Sequence, residues 1–136
     1  MEAEYTLKPG MKGIAEERVS PKNTAASLGS GGLAVYATPA MVTLMERAAV
    51  NALGDSLGAE YSSVGTELNI KHLSATPEGM NVKAHAELME IDGRRLVYHV
   101  EAHDEAGKIG EGRHERFIIM VKKFMEKTEG KKTQPR

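Results

Sequence analysis

The sequence contains no cysteine, which excludes disulfide bonds, thiolate metal sites and a cysteine nucleophile. Its formal net charge at pH 7 is only -1, too small to hold nucleic acid or an anionic membrane. It has no apolar run near the roughly 18 residues that span a bilayer, and residues 1–11 do not resemble a signal peptide. Of its 136 residues, 40% are hydrophobic. We therefore expect one domain over residues 1–136, located in the cytoplasm, without nucleic-acid or membrane partners.

One long helix is predicted over residues 39–57. Thr38 fits the N-cap and Pro39 the first helical position, whereas Gly54 and Gly58 offer two C-terminal ends. Apolar residues recur at the three- and four-residue spacing that places them on one face: Met41, Leu44, Met45, Ala48, Ala49, Ala52 and Leu53. The many alanines on this face predict close approach by another backbone.

Strands are predicted for most of the remaining chain. An edge strand is expected at 11–19, followed by a flexible loop at 25–33, which is rich in glycine and serine. Four further segments alternate with period two or are continuously apolar, with turns such as Asp92-Gly93 between them: 64–72, 82–88, 96–102 and 108–123. The polar tail from residue 126 is expected to fray.

This order of elements predicts the α+β class. A long antiparallel sheet of about five strands wrapped around one central helix is the hotdog fold, and another α+β sandwich of the same element order is the alternative. One helix covers only one face of such a sheet. The other face and the sheet edges are therefore expected to meet a second subunit.

Two titratable residues stand out as candidates for catalysis. Glu46 lies on the shoulder of the apolar helix face, where a partly desolvated carboxylate is suited to act as a base, or where it pairs with a cation such as Arg47. His72 shares its strand parity with Leu68 and Ile70 and should face the helix, either as a satisfied core histidine or as a group that takes a proton. His114 could also point inward, but the sequence suggests no partner for it.

Thr38 is the third candidate, because a helix N-terminus offers free N–H groups that favour a nearby anion. Its hydroxyl could cap the helix, face the substrate, or do both. No metal site is predicted, because His99 and His103 lie about 13 Å apart along one strand. The segment Gly29-Ser-Gly-Gly is not followed by the lysine of a phosphate-binding loop.

Five motifs follow one another along the chain. They are Tyr36-Ala-Thr-Pro-Ala-Met-Val-Thr-Leu-Met-Glu-Arg-Ala-Ala, Gly65-Thr, His72-Leu-Ser-Ala-Thr-Pro-Glu-Gly, Glu90-Ile-Asp-Gly-Arg-Arg-Leu and Gly112-Arg-His-Glu-Arg. Together they resemble the fluoroacetyl-coenzyme A thioesterase group of hotdog-fold enzymes, over residues 10–123. The resemblance implies a hydrolase of acyl-coenzyme A thioesters that needs no cofactor beyond the coenzyme A of its substrate. It also implies a homodimer, or a tetramer of two dimers, with sites at the subunit interface.

The resemblance also assigns roles to particular residues. It implies that Thr38, Glu46 and His72 form the catalytic set, and that Gly65 is a pocket glycine contributed across the dimer. The sequence departs from the group in the segment 25–33, which carries no phenylalanine where the fluoroacetyl enzyme has phenylalanines that gate its pocket. Pro39 also replaces a glycine. We therefore expect hydrolysis of a short-chain acyl thioester without selectivity for a fluorinated one.

The expected mechanism places the thioester carbonyl at the helix N-terminus, with Thr38 or a water as the nucleophile and with Glu46 and His72 handling the proton. On one regular helix Thr38 and Glu46 are about 12 Å apart, so contact would need an irregular helix start, a bridging water or two subunits. Candidate cations for the coenzyme phosphates are Lys71, Arg94, Arg95 and Lys122. The alternative functions are a non-catalytic acyl-coenzyme A binding or sensing domain and a hydratase or dehydratase.

Overall fold

The computed structural model describes residues 5–134, so residues 1–4 and the last two residues of the predicted tail lie outside it. The strands are β1 (Lys12–Arg18), β2 (Tyr61–His72), β3 (Asn81–Asp92), β4 (Arg95–Asp104) and β5 (Gly107–Met120). The helices are α1 (Ala25–Leu28), α2 (Thr38–Leu53) and α3 (Val121–Glu129), followed by a 3₁₀ turn (Gly130–Thr133). Among the described residues, no helix has the length and apolar character needed to cross a bilayer.

The five strands form one antiparallel sheet in the order β1-β3-β4-β5-β2. β3, β4 and β5 follow one another through tight turns, one of them at the predicted Asp92-Gly93. β1 and β2 are the two edges of the sheet. This arrangement confirms the predicted α+β class and the five-stranded antiparallel sheet.

Helix α2 packs closely on the sheet, mainly against β1 and β3. All seven residues of the predicted apolar face are buried. A Cβ atom built on Gly13 of β1 would lie 2.2 Å from the carbonyl oxygen of Ala48 and 2.3 Å from the amide nitrogen of Ala52. The backbone of β1 therefore touches the backbone of α2, which is the close approach that the alanines predicted.

Both ends of α2 differ from the prediction. The N-cap is Ala37, without a side-chain hydrogen bond, and Thr38 is the first helical residue, so the predicted capping role of Thr38 is wrong. The helix ends at Leu53 rather than at residue 57, because Gly54 adopts a φ of 53° that other residues rarely adopt. Of the two glycines that could end the helix, the first one does so.

Strand β2 contains a bulge that shifts its side-chain alternation. The register with β5 changes between Gly65 and Glu67, and Thr66 is the extra residue. Before the bulge, Gly65 rather than Val64 shares the inner face; after it, Leu68, Ile70 and His72 do, as predicted. Strict alternation along the whole strand would have placed Val64 and Thr66 on this face as well, and the bulge prevents it.

Two segments that were not predicted to be helical each contain a helix. Thr24 caps the short helix α1, because its Oγ1 accepts a hydrogen bond from the amide of Ser27, and Gly29 ends it. The last strand ends at Met120 instead of residue 123. Helix α3 follows it at once and includes the first residues of the tail that was predicted to fray. The apolar residues of α3 recur at the helical spacing but stay partly exposed: Val121, Phe124 and Met125.

Candidate functional site

Thr38 and His72 meet at one end of the sheet. Thr38 begins α2 and His72 ends β2, and the Oγ1 of Thr38 lies 2.7 Å from the Nδ1 of His72. Thr43 donates its hydroxyl proton back to the carbonyl of Pro39, whereas the hydroxyl of Thr38 is directed to the imidazole. Two of the three predicted catalytic residues are therefore within hydrogen-bond distance, although 34 positions separate them.

The start of α2 supplies hydrogen-bond donors beside this pair. The amide of Met41 makes the first helical bond, to the carbonyl of Ala37, and Pro39 has no N–H group. Within residues 5–134 the amides of Thr38 and Ala40 have no hydrogen-bond acceptor. Two free N–H groups and the positive end of the helix dipole can therefore stabilise a developing negative charge next to Thr38.

The surroundings of His72 favour its neutral form. Burial lowers the pKa of its imidazole, and a backbone interaction with Ser74 opposes this shift only in part. Its Nε2 is buried and has no hydrogen-bond partner among the described residues. The ring borders a cleft of about 290 Å³ that small side chains such as Ala25 and Ser30 also line. A neutral imidazole with one nitrogen on a hydroxyl is suited to accept the proton of that hydroxyl.

Glu46 lies in a second cluster, beside Gly65 near the start of β2, whereas His72 is at the end of that strand. Its Oε2 is 3.4 Å from the Nη1 of Arg116 and 4.0 Å from the Nε2 of His114. A Cβ atom at Gly65 would lie 2.7 Å from the same oxygen, so the glycine leaves room for the carboxylate of its own chain. Glu46 does not line the cleft of Thr38 and His72. Helix α2 continues without interruption from Thr38 to Glu46, so the two side chains of one chain stay apart. One chain therefore brings Thr38 and His72 together, and separately Glu46 and Gly65.

His114 and Arg116 are the members of this second cluster that the sequence did not assign. Arg116 is buried; its Nε donates to the hydroxyl of Ser63 and its Nη2 to the Ser63 carbonyl, each at 2.8 Å. Alternation along Gly112-Arg-His-Glu-Arg places His114, Arg116 and Ile118 on one face, and this was the available signal. What the sequence could not show was the partner across the sheet.

The cations expected to bind coenzyme phosphates differ in their surroundings. Arg95 is engaged by carboxylates, at 3.3 Å from Glu115 and 3.4 Å from Asp92. Lys71, Arg94 and Lys122 are exposed and form no ion pair within residues 5–134. Arg94 also lines a surface groove with residues of α3. These three therefore remain candidates, and Arg95 is the least available.

The outer face of the sheet carries the remaining histidines. His99 and His103 flank Glu101 at 2.8 and 3.1 Å, and these bonds lower the pKa of Glu101 to about 2. Ligand atoms of His99, Glu101 and Glu111 lie within 4.8 Å of one another, as a metal site requires. However, the ammonium of Lys108 already lies 3.5 Å from Glu101 and 2.9 Å from Glu111. The ammonium of Lys108 therefore already occupies the position between the two carboxylates that a metal ion would take.

The comparison with known proteins rests on both sequence and fold. The family model of the fluoroacetyl-CoA-specific thioesterases matches residues 19–122. The chain belongs to this family. A fluoroacetyl-CoA thioesterase from Streptantibioticus cattleyicolor is 44% identical over 97 residues, which make up 71% of this chain and 70% of the relative. The predicted family and its enzyme class, acyl-CoA thioester hydrolase, are confirmed.

Solved structures agree with this assignment to the thioesterase family. A fluoroacetyl-CoA thioesterase mutant in complex with acetyl-CoA has a TM-score of 0.86 at 36% identity, covering 92% of this chain and 98% of that one. A thioesterase superfamily member from Thermus thermophilus has a TM-score of 0.83 at 29% identity, covering 95% and 98%. A hot-dog-like protein from Thermanaerovibrio acidaminovorans, 23% identical over 94% of each chain, has a TM-score of 0.82. The hotdog fold is thereby confirmed.

Proposed function

We propose that this protein hydrolyses a short-chain acyl-coenzyme A thioester to the free acid and coenzyme A. The observation that carries the proposal is the pair of Thr38 and His72 at the start of α2. It joins a hydroxyl, a neutral imidazole and free backbone N–H groups in one cleft. The proposed reaction needs no cofactor apart from the coenzyme A of the substrate.

In the proposed reaction the thioester oxygen lies near the amides of Thr38 and Ala40. Either a water or the hydroxyl of Thr38 attacks the carbonyl carbon, and His72 takes its proton. The C–S bond then breaks, and the coenzyme thiolate leaves and takes the proton back from His72. If Thr38 attacks, the acyl group is first esterified to its hydroxyl and a water releases it in a second step.

Glu46 enters this site from a second copy of the chain in our proposal. The side chain of Glu46 is 34% exposed, so its carboxylate can contact a second copy of the chain. In that copy we place it beside the pair of Thr38 and His72, where its negative charge would stabilise the imidazolium that forms when the Nδ1 of His72 takes a proton. The α2 helix separates Thr38 from Glu46 of the same chain by about 12 Å.

The proposed dimer interface lies beside the β2 edge, over residues 62–74. β2 pairs with β5 on one side only, so one row of its backbone N–H and C=O groups is unpaired within the described residues, and Leu68 is 44% exposed. Free strand edges and exposed apolar side chains favour pairing with another chain. Whether two such dimers form a tetramer, and the cytoplasmic location, remain predictions from the sequence.

The proposed activity is tested by assaying release of free thiol from a panel of acyl-coenzyme A esters with two to six acyl carbons. Hydrolysis that saturates with substrate and is lost in His72→Ala supports the proposal. Tight binding of the same esters without turnover would contradict it in favour of an acyl-coenzyme A sensing domain. Addition of water to an enoyl ester without thiol release would identify a hydratase instead.

The composite site has its own test in mixed dimers. We expect Glu46→Gln and His72→Ala to be inactive alone. Mixed and allowed to exchange subunits, they should recover about a quarter of the wild-type activity, because half of the dimers are mixed and each mixed dimer has one intact site. If Glu46 and His72 of one chain act together, the mixture stays inactive. Sedimentation at micromolar concentration tests the dimer itself, and a monomer would contradict it.

A further inference from the structure

His114 is the most constrained histidine of the inner face. It has no exposed surface. Its Nδ1 lies 2.8 Å from the carbonyl oxygen of Glu67, and its Nε2 lies 3.2 Å from the Nη1 of Arg116. A carbonyl only accepts and a guanidinium only donates. These two partners therefore leave one arrangement: a neutral imidazole that carries its proton on Nδ1 and presents a lone pair on Nε2 to Arg116.

The Nδ1 bond ties His114 to the bulge of β2. Glu67 follows the register shift that begins at Gly65, so its carbonyl marks the point at which the alternation of the strand changes. The same shift brings Gly65 to the inner face beside the carboxylate of Glu46. A histidine that holds the Glu67 carbonyl therefore helps to keep the backbone that leaves room for Glu46.

The Nε2 bond ties His114 to Arg116. The guanidinium is fixed by four groups, namely the hydroxyl and carbonyl of Ser63, the carboxylate of Glu46 and the imidazole of His114. Nη1 is the atom shared between Glu46 and His114. Nη1 carries two N–H bonds. Because the imidazole accepts one of them, the other is directed to the carboxylate of Glu46 and helps to fix its position.

Protonation of His114 would break this arrangement. The groups that face the imidazole are Arg116 on its own strand, Glu46 from α2 and the ring of Tyr98 from β4, which stacks at 6.2 Å between ring centroids. A second proton on Nε2 would remove the acceptor for Nη1 and place two positive groups 3.2 Å apart. Burial and the charge of Arg116 both lower the pKa of His114, whereas the Glu67 carbonyl and Glu46 oppose this.

We propose that His114, as the neutral Nδ1–H imidazole, is a positioning residue that orients Arg116 and, through it, the carboxylate of Glu46 for thioester hydrolysis. This inference rests on the proposed function for its catalytic consequence. Its geometric part, the tautomer and its two bonds, holds for the free protein and is measured separately.

Two substitutions separate the two bonds of His114. The amide of His114→Asn reaches the position of Nδ1 and retains a donor to Glu67 but no acceptor for Arg116; that of His114→Gln reaches the position of Nε2 and retains the acceptor. We expect His114→Asn to lower kcat by about 10- to 100-fold with KM changed less than about threefold, and His114→Gln to stay within about fivefold of the wild type. His85→Asn, on the exposed outer face, is the matched control and should be unchanged.

Nitrogen-15 NMR of the imidazoles in the free wild-type protein completes the test. We expect the His114 signals of the neutral Nδ1–H form at pH 7. An Nε2–H form, a doubly protonated ring, or equal kcat losses in the Asn and Gln variants would overturn the inference. A wild-type protein that hydrolyses no ester would refute the proposed function instead, and the proton on His114 would still decide the geometric part.

Discussion

The inner face carries two histidines in contrasting surroundings. His72 is half-buried beside an open cleft, makes one side-chain hydrogen bond and has a second nitrogen without a partner. His114 is fully buried and both of its nitrogens are engaged. Burial is the main reason for a lowered pKa in both rings. A lowered pKa therefore accompanies two different roles. His72 can take a proton in the cleft, whereas His114 holds its neighbours in place in the second cluster.

The contrast follows from where each residue lies in the sheet. His72 is the last residue of an edge strand and faces the start of a helix, where backbone donors are free. His114 lies in the middle of β5, with β4 on one side and β2 on the other. Both ring nitrogens of His114, within the sheet, are bonded to neighbours, whereas a group at the end of the sheet can change partners at little cost.

The largest expected effect separates activity from stability. His72→Ala should lower turnover by roughly 10²- to 10⁴-fold, because the proton acceptor is lost, while the free energy of unfolding changes by less than about 1 kcal/mol. His114→Ala should instead lower the free energy of unfolding by about 2 kcal/mol or more, since it leaves two buried partners unsatisfied. Urea unfolding and thiol-release kinetics on both variants make the comparison. A stability loss for His72→Ala as large as that for His114→Ala would remove the distinction.

Gly65→Ala should disturb the cluster without unfolding it. The added methyl group would overlap the Glu46 carboxylate, which can move because it ends a flexible side chain. Displacement of a reacting group by about 1 Å costs up to roughly 100-fold in rate, so we expect kcat to fall by 10- to 100-fold with Tm nearly unchanged. Gly130→Ala is the control, since its methyl group would meet no atom within 4 Å and its backbone φ of −60° suits alanine. Unchanged kcat in Gly65→Ala would show that the position of Glu46 does not matter.

Selectivity for a fluorinated acyl group should be weak, because small residues such as Ala25 and Ser30 line the cleft and the segment 25–33 has no phenylalanine. We expect kcat/KM values for fluoroacetyl- and acetyl-coenzyme A within about tenfold of each other, a difference of no more than about 1.4 kcal/mol. Steady-state kinetics on both esters decide this. A preference of several orders of magnitude would mean that this end of the cleft selects substrates by other groups.

Acid should destabilise the protein through both histidines. Each has a folded pKa below the unfolded value of about 6.5, so the unfolded state binds more protons as the pH falls past that value. Stability is therefore fully present above about pH 7 and should decrease as the pH falls from there towards pH 5.5. Glu101 does not titrate in this window, because its pKa is about 2. Urea midpoints should fall less steeply with pH in His114→Asn, and an unchanged slope would contradict the role of burial.

The smallest expected effect concerns two threonines at helix starts. Thr24 caps α1 with its side chain, so Thr24→Ala should cost about 1 kcal/mol of unfolding free energy. Thr38 caps nothing, so Thr38→Ala should lower turnover with a stability change below about 0.5 kcal/mol. Thr38→Ser keeps the hydroxyl and should retain most activity. Equal destabilisation by the two alanine substitutions would show that the Thr38 hydroxyl also has a structural role.

Local patterns determined much of this protein from the sequence alone. The spacing of apolar residues in α2 predicted the face that is buried, and its alanines predicted contact with the β1 backbone. Alternation predicted the strands and the inward direction of His72. These features depend on residues within a few positions of one another, and the 3.6- and 2-residue periods record them directly. For that reason the sequence alone identified His72, the proton acceptor of the candidate site.

Only the tertiary structure decided the rest. The Thr38 hydroxyl could have capped the helix, and the presence of His72, 34 positions away, directs it into the cleft. The bulge in β2, which depends on pairing with β5, places Gly65 rather than Val64 on the inner face. Arg116 meets Glu46 across 70 positions. Such contacts leave no periodic trace in the sequence, because each one depends on the register of two distant segments and on the free energy of satisfying a buried polar group.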